Sequence, residues 1–262
     1  MRAMRMIDLR GRKGLVLGVA NQRSLAWAIA EALDEAGARL ALTYQGERIE
    51  ENVRALASKC ESSIVHPCDV TNDAEVAALF DTLAREFGSI DFMVHSVAFA
   101  RREDLDGAFH ATSREGWRIA LEVSAYSLVA LSSRAARLMN PETGGSILTL
   151  TYLASQRVFP NYNVMGSAKA ALEHAVRQLA FELGEKNIRV NAISAGPVST
   201  LSARGISGFT QMMGYSRERS PLRRNIELRE VGDAALFLLS PLASGITGTT
   251  LFVDAGYHIM GL

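Results

Sequence analysis

The sequence predicts an α/β fold: a doubly wound parallel sheet of about seven strands with helices on both faces. Three observations carry that expectation. Short strand-type runs alternate with longer stretches of helical periodicity from one end of the chain to the other. No Pro/Ser-rich linker, repeat or low-complexity segment divides the chain, so residues 1–262 read as a single domain. At 48% apolar and 21% charged residues, the composition supports one sizeable core.

Each element has its own signal. Residues 15–19, Leu-Val-Leu-Gly-Val, read as a buried strand. Leu25, Ala28, Ile29, Ala32, Leu33 and Ala36 then fall on one face of a helix, which Gly37 stops. Strand 39–44 and helix 47–59 follow, then strand 63–66 and a helix over about 73–87. Residues 90–97 form the fourth expected strand, and a long helical region covers 114–139. The pattern continues with strand 145–151, helix 162–184, strand 188–194, helix 227–239 and a last strand at 249–253. In a sheet of this Rossmann type, ligands bind at the carboxyl ends of the strands, where the strand order reverses.

Charge and cysteine content exclude several function classes. Lys plus Arg and Asp plus Glu both number 28, so no basic footprint for nucleic acid or a membrane surface is present. Cys60 and Cys68 make no disulfide framework and have no metal-ligand spacing around them, so no metal is expected and a reducing cytoplasm is the natural compartment. The basic amino terminus lacks an apolar h-region, and runs such as 15–20 are too short to span a bilayer.

Chemistry is expected in two places. In the first, Gly18 ends a strand and Ser24 stands ready to cap the helix behind it, an arrangement that suits a pyrophosphate. The segment is not G-x-G-x-x-G, and it equally suits a plain strand-to-helix turn. Beyond the second strand, neutral Gln45 can serve an adenosine ribose or belong to an ordinary polar loop, while Arg48, a cation that could pair with a 2′-phosphate, falls in the next helix. Asp69 and Val70, after the third strand, can bracket an adenine, or Asp69 can simply be a turn or cap residue.

The second place is the helix opening at Tyr162. Lys169 lies seven positions on, about 700° of turn and about 10 Å along the axis, so the two side chains share a face. A lysine cation beside a phenol is expected to lower the tyrosine pKa. Tyr152 ends the preceding strand and completes a cluster at the same sheet edge. The alternative is a packed tyrosine and a solvated lysine.

Several stretches together carry a resemblance: Thr149-Leu150-Thr151-Tyr152, Pro160-Asn161-Tyr162-Asn163-Val164-Met165-Gly166, Ala168-Lys169-Ala170 and Arg189-Val190-Asn191-Ala192-Ile193-Ser194-Ala195-Gly196-Pro197. With His95 to Ala100, Gly245 to Gly248 and Val253 to Gly256, they resemble the bacterial enoyl-(acyl-carrier-protein) reductases. These form a divergent branch of the short-chain dehydrogenase/reductase superfamily, and the resemblance covers essentially the whole chain. It implies reduction of enoyl thioesters on acyl carrier protein with NADH, and a cytoplasmic homotetramer. It implies Gly18, Ser24 and Leu25 at the pyrophosphate, Gln45 at the ribose, and Asp69 and Val70 at the adenine. Val97 then lies by the cofactor after the fourth strand, Lys169 at the nicotinamide ribose and Val198 and Thr200 on the nicotinamide side, and Ala100, Tyr152 and Tyr162 border substrate. Two departures are visible: Leu25 stands where many relatives have isoleucine, and Ala98 where some have glycine.

The implied catalysis rests on Tyr162 as donor to the thioester oxygen and on Lys169 at the ribose. Tyr152 either assists protonation or shapes the pocket. Residues 198–220 have weak periodicity, and 201–214 read as a mobile helical lid over an acyl site, or as a surface insertion. A carbonyl reductase on the same fold and a dinucleotide-binding regulator without activity are the competing classes.

Overall fold

The sheet forms because its strands are apolar on both faces. In strand β1 (Lys13–Leu17), Leu15 and Leu17 face one side and Val16 the other, and all three are fully buried. The computed structural model describes residues 7–61, 63–200 and 207–261. Among these, β1 joins β2 (Arg39–Tyr44), β3 (Ser63–Pro67), β4 (Phe92–His95), β5 (Gly145–Thr151), β6 (Ile188–Ala195) and β7 (Thr250–Val253) in one parallel sheet. The order is β3-β2-β1-β4-β5-β6-β7, so the reversal falls between β1 and β4.

Helices cover both faces. On one side, α1 (Leu25–Glu35), α2 (Glu47–Ala57) and α9 (Leu228–Leu239) pack on Val16, Leu40, Leu42, Val94, Leu148 and Ile193. On the other, α3 (Asp73–Phe87), α6 (Ser127–Leu138) and α7 (Asn163–Gly184) pack on Leu15, Leu17, Met93, Ile147 and Val190. The remaining helices are a short α4 (Arg102–Leu105), α5 (Arg114–Leu121) and α8 (Phe209–Arg219).

Helix ends follow local chemistry. Ser24 caps α1 by accepting from the Trp27 N–H, as expected, and the helix closes before Gly37. Asn72, not Asp69, caps α3. Glu227 and Glu230 form a reciprocal capping box at α9.

Several boundaries differ from expectation. The first strand ends at Leu17, because Gly18 turns at φ +90° and its missing Cβ would lie 2.0 Å from the Ser96 carbonyl oxygen. That close approach of the β1 and β4 turns excludes any side chain at position 18. The fourth strand is only Phe92–His95. The long helical region is split between α5 and α6 by one π-helical turn, Glu122–Tyr126. Tyr162 precedes its helix rather than opening it. In the expected lid, residues 201–206 lie outside the described residues, and α8 continues through Gly214 to Arg219.

Candidate active site

A cavity of about 580 Å³ opens at the carboxyl edge beside the β1–β4 reversal. It brings together Gly18, Ser24 and Leu25 from the first turn, Val97 and Ala100 beyond β4, and Tyr152 beyond β5. Tyr162 enters from the residue just before α7, Lys169 from α7 itself, and Val198 and Thr200 from the segment after β6. Gln45, Asp69 and Val70 do not line it; they sit at the ends of β2 and β3.

The first turn uses Ser24 twice, since its hydroxyl also donates to the Asn21 carbonyl at 2.7 Å. Its oxygen is therefore committed to the turn, and a pyrophosphate there would meet the helix N-terminus instead. Gln45 Nε2 donates to Asp69 Oδ2 at 2.9 Å, so the two expected adenosine contacts are joined to each other. Asp69 Oδ1 also accepts from the Thr71 N–H and hydroxyl, at 2.8 and 2.7 Å. Burial pulls the Asp69 pKa up, but these hydrogen bonds outweigh it and the net shift is downward. Asp69 is thus a turn residue, as one of its two readings had it.

Lys169 is buried at 6% exposure, and its ammonium donates to the Leu150 carbonyl at 2.8 Å. It is not a solvated surface lysine. Burial pulls its pKa down to about 8, against an upward pull from Glu173.

Tyr162 is half-buried in the cavity wall, and among the described residues nothing bonds its hydroxyl. Burial raises its pKa, contrary to the lowering expected from Lys169. The reason is geometric: the ammonium is held by a carbonyl of β5, and desolvation is left to act on the phenol alone. Tyr162 therefore stays protonated at neutral pH, which is the form a hydrogen-bond donor needs. Its ring lies 5.1 Å from that of Tyr152, which in turn lies 4.9 Å from Phe159. The Tyr152 hydroxyl donates to Met212 Sδ at 3.1 Å, and burial also raises its pKa.

Residues outside the sequence reading complete the site. Asn161 and Asn163, on either side of Tyr162, both have positive φ, +61° and +26°. Asn161 Nδ2 donates to the Ser207 carbonyl at 3.0 Å, and Asn163 Nδ2 to the Gly107 carbonyl at 3.1 Å. The tyrosine is thereby pinned between two loops that meet only in three dimensions. Arg102 and Phe209 also line the cavity. The asparagines stand beside the tyrosine in sequence, and their tolerance of left-handed backbone was the available signal. Arg102 and Phe209 had none.

His95 is a core residue: Thr149 Oγ1 lies 2.9 Å from Nδ1 and Ser127 Oγ 2.8 Å from Nε2. Burial holds its pKa down to about 3, so it is neutral. Among the described residues no His, Cys, Asp and Glu cluster suits a metal ion.

The cavity fits a nicotinamide dinucleotide. The N-terminus of α1, the buried Lys169 cation and apolar residues Val97, Ala98 and Val198 all line it, which suits the nicotinamide and pyrophosphate part. Comparison with known proteins agrees. A family profile described as enoyl-(acyl carrier protein) reductase matches residues 18–258. The chain is 54% identical to the enoyl-(acyl-carrier-protein) reductase (NADH) of Bacillus cereus, over 97% of this chain and 99% of that one. It is 53% identical to the enzyme of the same name from Bacillus subtilis, over 96% and 98%. A crystal structure of the Bacillus cereus reductase with NADP+ and indole naphthyridinone superposes with a TM-score of 0.95, covering 98% of this chain and all of that one. The Anaplasma phagocytophilum reductase solved with NAD gives 0.92 at 46% identity, covering 99% and 97%.

Proposed function

The chain belongs to the enoyl-(acyl carrier protein) reductase family, and from that premise we propose the part each of its residues plays. The protein is an oxidoreductase that reduces the trans-2 double bond of enoyl thioesters on acyl carrier protein, with NADH, in fatty acid elongation. NADH, when bound, supplies the hydride that the β-carbon of the acyl group receives. Everything else falls to the protein.

As the β-carbon is reduced, negative charge develops on the thioester oxygen. Tyr162 donates a hydrogen bond to that oxygen, its raised pKa keeps the donor protonated, and the enolate then takes up a proton at the α-carbon. Lys169, fixed by Leu150, orients the nicotinamide ribose and adds positive charge behind the tyrosine. Tyr152 shapes the acyl pocket rather than donating a proton, since its hydroxyl is engaged by Met212. Gly18, Ser24 and Leu25 face the pyrophosphate; Val97, Val198 and Thr200 flank the nicotinamide, and Ala100 the substrate. Gln45, Asp69 and Val70 receive the adenosine at the ends of β2 and β3.

Residues 198–220 act as the substrate lid of a single catalytic domain. Phe209 in the cavity wall and Met212 against Tyr152 support this, because both belong to α8. The working assembly is a homotetramer, in keeping with exposed Tyr126, Val129 and Phe181. Its compartment is the cytoplasm, consistent with two free thiols; among the described residues no helix is long and apolar enough to cross a membrane.

One observation carries the site assignment: Tyr152, Tyr162 and Lys169 converge on one cavity at the sheet reversal. The test is a spectrophotometric comparison of crotonyl and acetoacetyl thioesters with NADH. Turnover of crotonyl thioester alone is expected. Preference for the acetoacetyl compound would indicate carbonyl reduction, and cofactor binding without turnover a regulator.

A further inference from the structure

Glu173 lies one helical turn beyond Lys169 on α7 and is buried at 5% exposure. A buried carboxylate is costly unless its oxygens are satisfied. Here Oε1 accepts from Thr151 Oγ1 at 2.8 Å and from Ser155 Oγ at 2.6 Å, and Oε2 faces Gln156 Nε2 at 3.5 Å. Those donors flank Tyr152, and Lys169 holds the adjoining Leu150 carbonyl. Two buried side chains of α7 therefore grip the segment that presents Tyr152 to the cavity. A neutral glutamine would accept the same hydroxyl hydrogens at lower desolvation cost, so the charge itself needs a reason.

We propose that Glu173 is a positioning residue of the reductase site, clamping residues 151–156 around Tyr152 and, from one helical turn away and without a direct ion pair, serving as counter-charge to the equally buried Lys169 ammonium. The surroundings of Lys169 support the second role. From β4, His95 faces it as a neutral ring; Tyr152 beyond β5 and Tyr162 before α7 are neutral phenols. Among the described residues Glu173 is the group that raises the Lys169 pKa against burial. Without that carboxylate the Lys169 pKa falls below about 8, and the ammonium is lost at a lower pH.

The inference rests on the reading that Lys169 holds the cofactor, and the experiment separates the two. NADH affinity is measured by fluorescence titration across pH 6–10 for wild type, Glu173→Gln, Glu173→Asp and Lys169→Ala, and the lysine ε-carbon is titrated by NMR in cofactor-free protein. Glu173→Gln is expected to move both the alkaline limb of NADH binding and the Lys169 titration down by about one pH unit. Glu173→Asp keeps the charge and the limb, but its shorter reach loosens the clamp and lowers kcat. Coincident titrations in wild type and Glu173→Gln would overturn the proposal. Lys169→Ala with unaltered NADH affinity at every pH would remove the cofactor reading instead, while the NMR titration still decides the Glu173–Lys169 coupling. Where Glu173→Gln does not fold, Thr151→Val with Ser155→Ala carries the test. A fall in kcat with the NADH limb unmoved supports the clamp, and an unchanged kcat defeats it.

Discussion

The Lys169 ammonium donates to the Leu150 carbonyl, 2.8 Å away, and so ties α7 to the carboxyl end of β5. Leu150 is the penultimate residue of β5, still in register with Ile193 of β6. Tyr152 and Tyr162 both stand at this junction, and the predictions start from it.

Replacing Tyr162 by Phe removes one hydroxyl and leaves its ring packed against Tyr152. Turnover is expected to fall about 10²–10³-fold, the usual cost of losing one oxyanion donor. NADH binding is expected to stay nearly intact, because the proposed cation at the cofactor is Lys169. A loss of only a few-fold at saturating substrate would move the oxyanion role elsewhere.

Lys169→Ala should weaken NADH binding and turnover together, as read by fluorescence titration. The wild-type protein carries its own pH test. Burial places the Lys169 pKa at about 8, so the ammonium is present below that pH and lost above it. NADH affinity should therefore decline as pH rises through about 8, and the decline should be absent in Lys169→Ala. A flat wild-type profile from pH 7 to 10 contradicts the assignment.

NADH should be preferred to NADPH. No Lys or Arg occupies positions 43–47, Glu47 adds a negative charge, and Gln45 is held by Asp69. A 2′-phosphate left without a cation is disfavoured by about tenfold or more in kcat/KM. Arg48, exposed in the first turn of α2, is the neighbouring cation able to reverse this. An NADPH preference that disappears in Arg48→Ala would place the phosphate on that residue.

His95 gives a stability prediction. Its folded pKa, about 3, lies below the ordinary 6.5, so the unfolded state binds the extra proton as pH falls between those values. Stability is full above about 6.5 and drops below it. Between pH 7.5 and 4.5 this one group accounts for about 2–3 kcal/mol. His95→Gln loses stability at both pH values, since Thr149 and Ser127 lose their partner, but its acid-dependent loss should be smaller by that amount in urea denaturation. Equal losses in both proteins would rule out a neutral buried histidine.

Much of the fold was legible because its signals are local. The third helix, residues 73–87, and the fifth strand, 145–151, have the bounds the sequence predicts, since Asn72 caps one and turn residues bracket the other. Boundaries failed where a distant contact decided them. The first strand stops at Leu17 because the Ser96 carbonyl closes on Gly18, 78 positions away. The π-helical turn at Glu122–Tyr126 has no periodicity signal, because one extra residue barely disturbs an apolar stripe.

The sequence by itself determined the alternation of strands and helices, and with it the edge of the sheet where a ligand belongs. It also determined which residue types stand there: Tyr152, Tyr162 and Lys169, with the small residues of the first turn. Tertiary structure alone decided their states. Lys169 turned to a carbonyl, Tyr152 to a methionine and Gln45 to Asp69. Tyr162 came out a protonated donor and not a lowered-pKa phenol. The physical reason is that periodicity and capping act over a few residues, whereas desolvation and hydrogen-bond choice depend on groups 19 to 60 positions away that only packing brings together.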